Sequence, residues 1–193
     1  MKTKEQIFAA ARSAFDRDGL EGLSLRDIAR EVGITPMAIY RHYKDKQALI
    51  DALVLDGLAE WSARAEALSQ DNPARWFEQM GEAFLDFALQ KPRRFEAAFL
   101  IHTKHARRYP DDFVAGRSPA GVMYLTMFER MRAAGKLGDV PPIEIMITIA
   151  GLSQGLITLY RAGRIAGGEA EFRALFMRAM RRCIQSSLTE DIP

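Results

Sequence analysis

Residues Ser24–Leu53 read SLRDIAREVGITPMAIYRHYKDKQALIDAL, and the caps and breakers in this stretch set the helix boundaries around it. Ser24 offers a hydroxyl to cap a helix, and Asp27 adds a carboxylate in the first turn, where the helix dipole favours negative charge. Leu25, Ile28, Ala29 and Val32 follow at spacings of three and four, the inner stripe of one short helix. Gly33 ends it. Thr35-Pro36 opens the next helix with a capping hydroxyl and a proline at the first helical position, where the missing N–H costs nothing. That helix runs to about His42-Tyr43, and Asp45 caps a longer one that continues through Ala48, Leu49, Ala52 and Leu53. Two short helices meeting across a turn of three or four residues make a helix-turn-helix.

In that arrangement the second helix enters the DNA major groove while the first braces against the backbone. At 1.5 Å per residue, the helix from Thr35 to His42 is about 12 Å long, enough to probe a few base pairs. Ile34 and Ile39 are expected to look inward, leaving Thr35, Pro36, Met37, Ala38, Tyr40, Arg41 and His42 facing out. A hydroxyl, aromatic rings and cations suit phosphates and base edges. The competing reading makes Tyr40 and Tyr43 core aromatics and the charges an ordinary solvated face.

Outward from this segment the texture stays helical, because apolar residues recur at three and four and no stretch alternates with period two. A helix from about Lys4 to Arg17 precedes it and stops at Asp18-Gly19. The helix capped by Asp45 is expected to reach about Leu68. Beyond Asn72-Pro73, further helices are expected at about 74–89, after Lys91-Pro92, and at about 120–134, 143–163 and 169–187. The polar stretch Lys104–Pro119, with Pro110, Gly116 and Pro119, reads as a long loop holding at most one helical turn. The fold class is therefore all-α, with about nine helices.

The chain has 193 residues, 48% of them hydrophobic and 27% charged, with a formal net charge of +2. That is globular composition, and a total so near neutrality does not by itself point to nucleic acid. The charge is unevenly placed. Residues 1–34 carry six basic and six acidic side chains, residues 51–193 carry eighteen of each, and the whole excess falls in residues 35–50 through Arg41, Lys44 and Lys46. One cysteine, Cys183, excludes an intramolecular disulfide and any CxxC site. The basic start Met1-Lys2-Thr3-Lys4 is not followed by the apolar stretch of a signal peptide, so a cytoplasmic location is expected. The run from Ile143 to Tyr160 is interrupted by Glu144, Ser153 and Gln154 and is too short and polar to span a bilayer of about 20 residues; it reads as a buried helix, with no membrane partner.

The first 50 residues resemble the DNA-binding domain of the tetracycline-repressor (TetR) family of bacterial transcription regulators. The resemblance is carried in order by Ala14-Phe15 and Gly19, Ser24-x-x-Asp27-Ile28-Ala29, Gly33-Ile34-Thr35, Ile39-Tyr40-Arg41-His42-Tyr43 and Lys46-x-x-Leu49. The family more often has Phe where this chain has Tyr43, and Gly or Thr where it has Ala38. The resemblance implies that Tyr40, His42 and Lys46 contact phosphates and that Thr35, Pro36 and Met37 touch base edges, Met37 suiting a thymine methyl. Arg26 would reach a base or phosphate and Arg41 the backbone. It implies a helix-turn-helix domain over residues 1–48 and a helical regulatory, ligand-binding and dimerisation bundle over 49–193. The DNA partner would be a palindromic operator, because one short helix reads too little sequence and two half-sites about 34 Å apart solve the problem.

The regulatory half is less informative. Ile149–Ile165, IAGLSQGLITLYRAGRI, resembles the penultimate helix of one subgroup of the family. Gly151 and Gly155 lie on one helical face and permit a close crossing, with Leu152 and Leu159 beside them; the crossing helix is either a homodimer partner or a neighbour in the same chain. Phe84, Phe87, Phe99, Met123 and Met127 are either core or pocket wall, and Trp61, His102 and Tyr124 are candidates for the few polar contacts of a pocket for an apolar or aromatic effector. His102 and His105 stand three apart, but a surface or hinge position explains them better than a metal. The sequence holds no catalytic constellation, no cofactor motif and no metal-ligand set. Two rivals to a ligand-released repressor stand: a DNA-binding dimer without small-molecule input, and a helical carrier or enzyme with a vestigial DNA reader.

Overall fold

A computed structural model describes residues 2–68, 70–104 and 106–189. Among them are ten helices and no strand: α1 (Thr3–Asp18), α2 (Leu25–Val32), α3 (Pro36–Tyr40), α4 (Lys46–Glu66), α5 (Pro73–Gln90), α6 (Pro92–Phe99), α7 (Asp111–Val114), α8 (Pro119–Ala133), α9 (Pro142–Arg161) and α10 (Glu169–Gln185). The tenth, beyond the nine expected, is α7, a single turn inside the polar loop after Lys104.

The chain divides into two compact units, residues 1–60 with 90–106, and residues 61–89 with 107–193. In the first, α1 packs on α2 and α6, and α2 packs on α3. Its core is Ile7, Ala11, Phe15, Leu23, Ile28, Ile39, Leu49 and Leu53, so both short helices of the opening segment are held by apolar side chains drawn from α1 and α4. The small residues Ala10, Ala11 and Ala14 are all buried on α1 and let its neighbours approach closely.

α6 also belongs to this unit, although it lies well beyond the first 50 residues in sequence. Arg94 on α6 is only 4% exposed. Its Nε and Nη2 donate to the two carboxylate oxygens of Asp16 on α1 at 2.8 and 2.9 Å, and its Nη1 donates to Asp56 on α4. Arg12 of α1 reaches Asp56 at 3.4 Å and Glu60 at 3.7 Å. At Gly57 the backbones of α4 and α6 nearly touch: a Cβ there would lie 2.9 Å from the Arg94 carbonyl oxygen. A bare helix surface at that point is what allows the crossing.

In the second unit α9 packs on α8 and α10. Tyr160 stacks on Phe172 at 4.0 Å between ring centres. α9 is, among the described residues, the one helix long and apolar enough to cross a membrane by length and composition. It is not wholly buried, as its composition suggested. Ile145, Met146, Ile149, Ser153 and Ile157 are covered, while Thr148, Gly151, Gly155, Thr158 and Leu159 form an exposed face.

Candidate nucleic-acid interface

The local geometry of α2 and α3 follows the caps. Ser24 Oγ accepts from the Asp27 N–H at 3.3 Å, and Thr35 Oγ1 accepts from the Ala38 N–H at 3.3 Å with Pro36 at the first helical position. Gly33 sits at φ 73°, ψ 32°, the left-handed region where an L side chain is strained, and the Ile34 N–H donates to the Ala29 carbonyl at 2.9 Å. Asp45 Oδ1 accepts from the Ala48 N–H at 2.6 Å and starts α4.

α3 is shorter than expected. Its regular turns end at Tyr40, because Arg41 and His42 donate to Ala38 and Ile39, three residues back, and the last turn tightens. Five residues give about 7.5 Å of helix.

The face this presents is well defined. Ile39 is fully buried and Tyr43 nearly so, with Lys4 Nζ 5.6 Å over its ring and its hydroxyl pushed up in pKa by burial. Tyr43 is thus a core aromatic, whereas Tyr40, for which the sequence allowed the same role, is 47% exposed. Ile34 and Ala38 are half-buried. Met37 is 70% exposed, far more than a thioether gains from water, and Arg26, Thr35, Pro36, Arg41, His42 and Lys46 are exposed with it.

Charge pairing sorts the cations of this segment. Arg30 is held by Asp27 at 2.8 Å, and Lys44 lies 3.9 Å from Asp45. Arg26, Arg41, His42 and Lys46 have no ion pair or side-chain hydrogen bond among the described residues. The surface therefore carries free donors around one exposed aromatic and one exposed thioether, the composition that phosphate and base-edge contacts use.

Known proteins agree with this geometry. Residues 7–53 match the family described as bacterial regulatory proteins, tetR family, and residues 77–183 match the tetracyclin repressor-like C-terminal domain. The chain belongs to the tetR family. Tetracycline repressor protein class A from transposon 1721 of Escherichia coli is 26% identical over 167 residues, covering 84% of this chain and 69% of that one. The uncharacterized HTH-type transcriptional regulator YobS of Bacillus subtilis is 27% identical over 114 residues, 58% of this chain, and the match spans 60% of YobS. The crystal structure of a TetR-family transcriptional regulator from Pectobacterium atrosepticum superposes with a TM-score of 0.72 over 98% of this chain and 96% of that one, at 21% identity, a likeness of fold. This TetR-family chain is accordingly a DNA-binding transcriptional regulator, and α2 with α3 is its helix-turn-helix.

The candidate effector residues fall in both units. Trp61 packs edge-on against Phe84 at 5.0 Å and stacks on Phe87 at 6.1 Å. Tyr124 lies elsewhere in the second unit, against Trp76 at 5.0 Å and Phe77 at 6.1 Å, and desolvation holds its hydroxyl well above the usual phenol range. Met123 and Met127 are buried on α8. Phe99 and His102 belong to the first unit, where Phe99 contacts Phe95 at 5.2 Å and His102 is exposed. His105 lies outside the described residues. Among the described residues no group of three His, Cys, Asp or Glu side chains gathers to hold a metal.

A cavity of about 330 Å³ opens between α5 and α10, lined by residues other than these eight candidates. The pairing of α5 with α10 brings together residues about 100 positions apart, which no local pattern records.

Proposed function

We propose that this regulator binds a palindromic operator in the cytoplasm as a homodimer and represses transcription until a small, largely apolar or aromatic molecule releases it. The observation that carries the DNA half of the reading is the unpaired set Arg26, Arg41, His42 and Lys46 around exposed Tyr40 and Met37. Tyr40, His42 and Lys46 are assigned to phosphates, Thr35, Pro36 and Met37 to base edges, and Arg26 and Arg41 to either.

The homodimer is supported by the exposed face of α9. A Cβ at Gly151 or Gly155 would meet nothing within 4 Å, so no neighbour in the same chain requires glycine there. Leu152 lies half-buried between them, and Leu159 is 43% exposed one turn on. Small residues with apolar flanks suit a second helix approaching from another copy. The regulatory half of the reading is supported by α4, which continues unbroken from the first unit into the second and supplies Trp61 to the aromatic cluster there. An effector releases DNA by binding more tightly to the form whose recognition helices are wrongly spaced.

Gel-shift titration against the promoter region next to the gene tests the reading. A discrete shifted band, abolished in Tyr40→Ala, is expected; the absence of sequence-specific binding would leave a carrier or enzyme with a vestigial reader. A thermal-shift screen separates a ligand-responsive regulator from a DNA-binding dimer with no small-molecule input, because a ligand of the folded state raises the melting temperature.

A further inference from the structure

α5 and α10 run antiparallel in the second unit, registered by three contacts. Arg173 pairs with Asp86 at 2.7 Å, Met177 faces Gly81, where a Cβ would lie 3.4 Å from its sulfur, and Arg181 pairs with Glu78 at 2.8 Å. Along the stretch from Ala74 to Glu78 and from Met177 to Gln185 the two helices leave the cavity of about 330 Å³. That size is near the lower end of small-molecule sites, which run from roughly 300 to 1,000 Å³. Its apolar lining is Phe77, Met180 and Ile184, all buried, with Met177 half-buried beside them. Two methionines give that lining adaptable shape.

The polar part is a single ion pair. Glu78 and Arg181 both line the cavity, and both side chains are more than half exposed, so their attraction is screened and the pair opens at little cost. The Glu78 carboxylate already occupies, on the Arg181 guanidinium, the place that a carboxylate carried by a ligand would take. From Ala174 to Thr189 the chain holds Arg178, Arg181 and Arg182 and no acidic residue, and Arg178 and Arg182 form no ion pair among the described residues. Beyond Arg173, the charged side chains of α10 are therefore all positive.

We propose that this cavity binds a small amphipathic monocarboxylate, its apolar chain against Phe77, Met177, Met180 and Ile184 and its carboxylate on Arg181, with Glu78 as the competing internal anion. A ligand held there would be the effector of the regulator, and only that consequence for DNA binding rests on the effector reading.

Calorimetric titration of the full chain with decanoate, with butyrate and decylamine as controls, tests it. Decanoate binds and butyrate does not. Arg181→Gln weakens decanoate by about tenfold or more, as the removal of one charge-assisted hydrogen bond requires. Glu78→Gln strengthens it, because the competitor is gone, and decylamine shows the reverse order. Ala74→Trp, at a half-buried position on the cavity wall, blocks binding without disturbing the core. No binding of decanoate up to about 1 mM, or binding indifferent to Arg181→Gln and Ala74→Trp, overturns the site. Operator affinity measured with and without decanoate separates the two claims. Binding in the stated pattern with unchanged operator affinity keeps the site and removes the effector role, whereas release of the operator by another compound without decanoate binding removes the site and keeps that role.

Discussion

Gly33 has the most restrictive backbone of the DNA-reading segment. Its φ of 73° is left-handed, yet a Cβ there would touch nothing, so Gly33→Ala is penalised through conformation alone. The expected loss is about 1 kcal/mol of unfolding free energy, read by chemical denaturation. Thr35→Ala removes the acceptor for the Ala38 N–H and should cost about 1 kcal/mol as well, with a larger fractional effect on DNA affinity because the helix it caps has only five residues. Cys183 gives an independent check: it is half-buried, and burial pushes its thiol up, so alkylation at pH 7 should be slower than for a free cysteine and accelerate on unfolding. At this scale the sequence was highly legible. Ser24, Gly33, Thr35-Pro36 and Asp45 each do locally what their chemistry dictates, and local chemistry needs no knowledge of the fold. The exception is the end of α3, where tightening at Arg41 and His42 carried no residue signal.

Among the elements, α6 was the one whose place was least legible. A helix after Lys91-Pro92 is expected from the sequence, but its membership of the first unit depends on Arg94 meeting Asp16 and Asp56 from two other helices. Ion pairs across 78 and 38 residues leave no periodicity. The bare point on α4 that receives α6 did have a signal, a glycine at position 57 inside a helical run, where glycine otherwise costs stability. Gly57→Ala should destabilise the chain by about 1–3 kcal/mol through overpacking, since backbone rather than a flexible side chain lies 2.9 Å away. Arg94→Ala removes the guanidinium and leaves Asp16 and Asp56 facing each other, carboxyls that burial already pushes up in pKa against the pull of Arg12. About 2–3 kcal/mol is expected, below the full cost of breaking a buried pair because both carboxylates are partly solvated. Thermal unfolding of the two variants reads both effects, and a neutral Arg94→Ala would mean that α6 is held by its apolar face alone.

For the whole molecule, the near-neutral total of +2 conceals the arrangement that matters. The excess of residues 35–50 is sharpened by pairing, because Asp45 lies by Lys44 and leaves Arg41 and Lys46 unmatched on the exposed surface. The first unit runs to residue 60 and takes in residues 90–106 as well, a feature of tertiary topology that the change of texture near residue 50 does not mark. If Gly151 and Gly155 serve a second copy, Gly151→Leu should lower dimer affinity in sedimentation with little change in monomer stability, since that space is empty in the chain itself. Whether the unpaired cations of the helix-turn-helix hold DNA phosphates is decided by the salt dependence of operator binding. For the wild type, the logarithm of affinity should fall linearly with the logarithm of salt concentration. Lys46→Ala should weaken binding and make the slope shallower by about one for each phosphate that the lysine no longer neutralises, whereas Arg30→Ala, whose guanidinium Asp27 already holds, should leave the slope unchanged. An unaltered slope in Lys46→Ala, or an equal change in Arg30→Ala, would mean that freedom from ion pairing does not mark the side chains that hold the DNA.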